Sequence, residues 1–127
     1  MRILLIEDDI SLCNALMIHL RSEGYETDVC HNGTDGLSYA LQNTYDVIIL
    51  DRMLPELDGL TLLSAIRRKN IFTPVIIDKS NDVIDFDIDR HRIFCSKQNF
   101  KILLENLLCL SIMMKSKIFM LPSSFVT

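Results

Sequence analysis

Residues 47–50, VIIL, are four apolar residues in a row, and the fifth position is Asp51. An apolar run without alternation suits a strand covered on both faces, which is the condition of a central strand in a parallel sheet. In open α/β sheets ligands bind outside the carboxyl ends of such strands. Asp51 therefore stands where chemistry is usually done, and the loop that follows carries Pro55 and Gly59.

The rest of the first 78 residues repeats this alternation of short apolar runs and amphipathic stretches. Residues 3–6 are a first strand, followed by a helix with Leu12, Leu16 and Leu20 at i, i+4, i+8, a capping-type Ser11 and a terminating Gly24. Residues 27–30, TDVC, are a second strand, closed by Asn32 and Gly33. The next helix presents Leu37, Ala40 and Leu41 on one face, and the run before Asp51 is strand three. Asp58 and Gly59 open a third helix with Leu60, Leu63 and Ile66 inward and Arg67, Arg68 and Lys69 in its last turn, where cations suit the helix dipole. Residues 74–77, PVII, are strand four. A βαβαβαβ order predicts an α/β fold with a doubly wound parallel sheet.

After residue 78 the pattern changes. A helix should come next, yet IDFDID, residues 84–89, alternates apolar and acidic residues with period two, a half-exposed strand signal. RIFC, residues 92–95, then reads as its partner across a turn. Residues 100–114 have helical propensity but are apolar nearly all round, which calls for burial on several sides or for association. The expected division is a core over residues 1–78, with four strands and three helices, and a divergent segment over 79–127.

With 127 residues the chain can build one core of ordinary size. A formal net charge of -4 gives no sign of a polyanion-binding protein. Cys13, Cys30, Cys95 and Cys109 are scattered without C-x-x-C or zinc-type His spacing, so reduced thiols of a cytoplasmic protein are expected. The N-terminus turns acidic after four apolar residues, unlike a signal peptide. The longest apolar run near the other end is far short of the roughly 20 residues of a membrane helix, so no membrane association is expected.

Glu7, Asp8 and Asp9 follow strand one as Asp51 follows strand three. If those strands are neighbours, three or four carboxylates share one sheet edge, each raising its neighbours' pKa unless a hard cation neutralises them. Mg²⁺ suits such a site because it takes oxygen ligands, uses one or two carboxylates and keeps waters that a phosphate can replace. Asp9 is the member that can instead serve as a helix cap.

ILLIEDD, the interval from Asp8 to Asp51, DVIILDRMLPELDGL and TPVII together resemble the receiver domain of bacterial two-component response regulators, of the OmpR/PhoB type. The resemblance covers about residues 1–78 and implies a flavodoxin-like receiver. It implies that Asp51 accepts a phosphoryl group from a sensor histidine kinase, in a signalling module rather than an enzyme. Glu7 and Asp8 would form the acidic pocket for Mg²⁺, with the backbone carbonyl of Met53 as a further ligand. Pro55 and Gly59 fit the loop with which the family starts its third helix.

The chain also departs from the family. A Thr or Ser should follow strand four, and its hydroxyl should bind the phosphoryl group and shift on activation; here Lys79 holds that position and Ser80 is an off-register substitute. Phe94 and Lys97 have the mutual spacing of the family's switch aromatic and phosphate-binding lysine, but Gln98 replaces the expected proline and the interval from strand four is short. DFDIDRHRIFCSKQNFKILLENL is also similar to the start of the winged-helix DNA-binding domain of the same regulators. Residues 79–127 are thus either a degenerate end of the receiver or a remnant of that effector domain. On the second reading the receiver stops at strand four, which loses the lysine and leaves a sheet edge open.

Other chemistries fit less well. A haloacid-dehalogenase-type phosphatase needs a second Asp where Met53 stands, and no phosphate-binding G-x-x-x-x-G-K occurs. Asp85, Asp87 and Asp89 have calcium-loop spacing without the Gly and distal Glu. The basic triplets at 67–69 and 90–92 read as a helix end and a turn, so no specific DNA binding by this chain alone is expected. The alternative to a working phosphoacceptor is a truncated regulator remnant, or a transcriptional regulator fragment, acting only through protein contacts. Residues 103–114 offer an apolar surface for a kinase, an intact receiver or a second copy in a homodimer.

Overall fold

The computed structural model describes residues 1–78, 85–87 and 92–95. Strand β1 (Arg2–Ile6) leads to helix α1 (Ile10–Ser22), then β2 (Glu26–Cys30), α2 (Gly33–Ala40), β3 (Val47–Leu50), α3 (Gly59–Arg68) and β4 (Val75–Asp78). Two short strands follow, β5 (Asp85–Asp87) and β6 (Arg92–Cys95). Among the described residues the sheet has six strands in the order β2-β1-β3-β4-β6-β5. β1 through β4 pair in parallel, as the βα alternation requires.

The unalternated strands are buried on both faces. One layer joins Ile3 and Leu5 of β1, Val47 and Ile49 of β3 and Ile76 of β4 to Cys13, Leu16 and Leu20 of α1. The other joins Leu4, Ile6, Ile48, Leu50, Val75 and Ile77 to Ala40 of α2 and to Leu62, Leu63 and Ile66 of α3. Burying a side chain of this size contributes about 1.5–3 kcal/mol. The central strands are therefore the most firmly held part of the chain, and the acidic residues project from their ends.

Local chemistry sets the helix starts. Asp9 caps α1 by accepting the Leu12 N–H at 3.1 Å, so the cap falls on Asp9 and not on Ser11. Asn32 caps α2 through the Asp35 N–H at 2.8 Å. Asp58 caps α3 through the Thr61 N–H at 3.0 Å. The inward faces differ slightly from the periodic reading. Leu41 is 41% exposed because α2 has ended at Ala40, and α3 buries Leu62 beside Leu63 while Leu60 is only partly covered.

The strand reading of the two acidic and basic segments after β4 holds over Asp85–Asp87 and Arg92–Cys95, which pair antiparallel. On the effector-remnant reading the sheet would stop at β4, whereas the observed sheet continues beyond it. β6 pairs in parallel with β4, Ile77 opposite Phe94 and Asp78 opposite Cys95. A parallel return needs a dozen or more residues, and residues 79–91 supply enough. The period-two pattern identified the antiparallel pair, but alternation on one strand says nothing about what lies at its other edge. The helix expected over 100–114 lies outside the described residues.

Candidate acidic site at the carboxyl edge of the sheet

β1 and β3 are neighbours in register, Ile6 opposite Leu50, so Glu7 and Asp51 are the next residues on adjacent strands. The pairing continues past the strands: the Asp51 N–H donates to the Ile6 carbonyl at 2.9 Å, and the Glu7 N–H to the Cys30 carbonyl at 3.0 Å. β1 sits between β2 and β3, the place where chain connections diverge to the two sides and open a crevice.

In that crevice carboxylate oxygens of Glu7, Asp8 and Asp51 all lie within 4.8 Å of one another. Glu7 is 1% exposed and Asp51 4%, while Asp8 is exposed. Two buried carboxylates that close to each other and to a third repel one another, and a cation between them offsets that repulsion. The donor set is all oxygen and mixes two buried groups with one open to solvent, which fits a hard divalent cation that retains water. Asp9 stays outside this group because its side chain caps α1 and its N–H donates to Glu7 Oε1 at 3.1 Å.

The loop between β3 and α3 is held close to Asp51. The Met53 N–H points to Asp51 Oδ1 at 3.4 Å, and the Gly59 N–H donates to the Arg52 carbonyl at 2.8 Å. A Cβ on Gly59 would lie 2.4 Å from the Asp51 carbonyl oxygen, so the chain returns to the acidic site as closely as glycine allows. Met53 is 80% exposed beside it.

Two groups that the residue pattern did not single out border the site. The Cys13 thiol donates to the Glu7 carbonyl at 3.2 Å, and His31 Nδ1 lies 3.0 Å from the same oxygen. Burial, then the charges of Glu7, Asp9, Asp8 and Asp51, push the Cys13 thiol up to about 11. It is a protonated donor that fixes the backbone of Glu7, not a nucleophile. No spacing rule links residues 13 and 31, so only the fold reveals the contact.

Lys79, Ser80 and Lys97 lie outside the described residues. Phe94 is described by its backbone alone, opposite Ile77.

A family model, the response regulator receiver domain, matches residues 3–87. The chain belongs to this family. The receiver is 41% identical over 76 residues to the transcriptional regulatory protein DltR of Streptococcus agalactiae, covering 60% of this chain and 34% of that protein. It spans about a third of the length of the curated relatives it matches. The receiver domain of the Francisella response regulator 1452 superposes with a TM-score of 0.71 at 27% identity, covering 91% of this chain and 98% of that one. The Thermotoga maritima response regulator TrrA, solved in complex with Mg²⁺-BeF, superposes at 0.70 with 29% identity, covering 86% and 97%. As a receiver domain the chain is a two-component signalling module whose relatives are transcription regulators. No helix among the described residues is long and apolar enough to cross a membrane.

Proposed function

We propose that the chain accepts a phosphoryl group on Asp51 from a sensor histidine kinase, with Mg²⁺ held by Glu7, Asp8, Asp51 and the Met53 carbonyl. The observation that carries this reading is the convergence of three carboxylates within 4.8 Å, one of them at the end of the central strand β3. A bound Mg²⁺ screens the charge that the cluster and an incoming phosphoryl group would otherwise set against each other. That TrrA was solved in complex with Mg²⁺-BeF supports a Mg²⁺ site in this chain.

The chain's own part in the reaction is placement. β3 and the Ile6 carbonyl fix the Asp51 backbone, and the Met53 N–H orients one carboxylate oxygen. A carboxylate oxygen attacks phosphorus, the bond from phosphorus to the donor nitrogen breaks, and its electron pair leaves with that nitrogen. The product is an acyl phosphate on Asp51.

Residues 79–95 complete the receiver rather than begin an effector domain. The parallel pairing of β6 with β4 supports this, as does a family match that runs to residue 87. Asp51, Asp78 and Cys95 follow one another across the sheet edge, and Lys97 is two residues beyond Cys95. This supports Lys97 as the cation for the transferred phosphoryl group, with Phe94 as the switch aromatic and Lys79 or Ser80 where the family has its hydroxyl. The covalent product is diagnostic. Labelling from a phosphodonor should require Mg²⁺, cease in EDTA and be reversed by hydroxylamine, which attacks acyl phosphates. A label that forms in EDTA or resists hydroxylamine contradicts the assignment.

A further inference from the structure

Helix α2 meets the β3–α3 loop at Gly33. The Gly33 N–H donates to the Pro55 carbonyl at 3.0 Å. A Cβ at Gly33 would lie 1.8 Å from the Leu57 carbonyl oxygen and 2.7 Å from the Leu57 Cβ. The first of these is a clash with backbone, which cannot swing aside as the tip of a side chain can. The N-terminus of α2 is thus fitted against the loop at a distance only glycine permits.

What the loop does at that point is strained. The Pro55 carbonyl also accepts the Leu57 N–H at 2.8 Å, closing a three-residue turn around Glu56, whose φ is 70°. Turns of this hand are costly for a residue with a side chain and persist where the surroundings hold them. Gly33 supplies such a hold from outside the loop. At the other end the Arg52 carbonyl is tied to the Gly59 N–H. A displacement at residues 55–57 therefore has to be absorbed by Met53 and Leu54 on one side and by Asp58 on the other, and Asp58 is held by its hydrogen bonds from Thr61.

We propose that Gly33 is a positioning residue for the acidic site: its N–H and its missing side chain seat the β3–α3 loop and thereby present the Met53 carbonyl to the divalent cation. This rests on the reading of Met53 as a metal ligand. Gly33 makes no contact with the cation and acts only through the loop, as outer partners of metal sites do.

Gly36 supplies the control. It lies one turn further along α2, and a Cβ there would meet the Ile6 Cδ1 at 2.7 Å, a core side chain and not the loop. Gly33→Ala and Gly36→Ala both crowd α2, but only the first displaces residues 55–57. Amide exchange at Leu57 in metal-free protein separates the two, and calorimetry reads the Mg²⁺ affinity of Gly33→Ala. Gly33→Ala should weaken Mg²⁺ binding by about 10- to 100-fold, the range for outer partners of metal ligands, and should speed exchange at Leu57. Gly36→Ala crowds Ile6, which precedes Glu7, so it serves as a control at the loop alone: exchange at Leu57 should stay at the parental value whatever it does to the melting temperature.

Should Gly33→Ala fail to fold, Asn32→Ala adds no atoms at the contact but frees the α2 terminus by removing its cap. It should shift both readouts in the same direction. Folded Gly33→Ala with parental affinity and exchange overturns the proposal, as does an equal speeding of Leu57 exchange in Gly36→Ala. A parent protein that binds no Mg²⁺ overturns it together with the metal assignment, whereas the first two results leave that assignment standing.

Discussion

Gly59 and Asp51 are fitted together backbone to backbone, with 2.4 Å between the Asp51 carbonyl oxygen and the place a Gly59 Cβ would take. The start of α3 is thereby pressed against the residue proposed to accept the phosphoryl group. Gly59→Ala should force the loop outward, costing about 1–3 kcal/mol as overpacked sites do. Phosphoryl uptake should slow as well, because Met53 moves with the loop. Urea unfolding and phosphorylation kinetics on the same preparation check both; an unaltered rate would show that the close approach does not matter to the site.

The carboxylate cluster sets stability against function. In metal-free protein Asp8→Asn removes one of three like charges and should raise the melting temperature, the more so at low salt. The parent should gain about 2.7 kcal/mol when Mg²⁺ reaches 100 times its dissociation constant, and Asp8→Asn far less at the same concentration. Melting curves with and without Mg²⁺ give both quantities. A metal-free variant no more stable than its parent would argue that the carboxylates do not repel one another.

Asp9 differs from its neighbours in role and should differ in phenotype. Asp9→Ala removes the α1 cap, at a cost of about 0.5–2 kcal/mol. Its Mg²⁺ affinity should match the parent's, since its side chain is engaged by the Leu12 N–H and stands outside the cluster. Calorimetric titration decides the point, and a large loss of affinity would place Asp9 among the ligands.

At the opposite end of the sheet the Tyr45 hydroxyl donates to Asp28 Oδ2 at 2.6 Å, and the Arg2 guanidinium lies 3.2 Å from the same oxygen and 5.0 Å from the Tyr45 ring centre. Burial, then the hydrogen bond to Asp28, push the Tyr45 phenol well above its usual range. The unfolded chain then loses this proton first as pH rises. The stability tied to Tyr45 is therefore complete below the unfolded pKa of about 10 and falls away above it. Tyr45→Phe should cost roughly 1.5–3 kcal/mol at neutral pH, the range for hydrogen bonds to charged groups. It should also flatten the decline above pH 10. Unfolding free energy measured against pH tests the two effects together.

The sequence announces the acidic site because each of its parts obeys a local rule. Val47–Leu50 lacks alternation because both faces of β3 are covered, and the residue after such a strand emerges at the sheet edge. Glu7, Asp8 and Asp51 follow from that alone. Neighbourhood of β1 and β3 was a condition that the α/β order leaves open, and the strand order β2-β1-β3 meets it. The contacts that position the site were not legible, since they join residues without a periodic relation: Gly33 with Leu57, Cys13 and His31 with the Glu7 carbonyl. Asn32-Gly33 marked a turn, but nothing in those two residues names the loop that needs the space. The pairing of β6 with β4 was hidden for a related reason, because an acidic alternating neighbour, β5, dominated the local pattern.

A phosphoryl group on Asp51 is read directly by intact-mass spectrometry. The purified protein and Asp51→Asn are incubated side by side with Mg²⁺ and acetyl phosphate. The parent should gain the mass of one phosphoryl group and the variant none. A parent that is folded by circular dichroism yet gains no mass, or a variant that gains as much as the parent, would contradict the assignment of Asp51 as the acceptor.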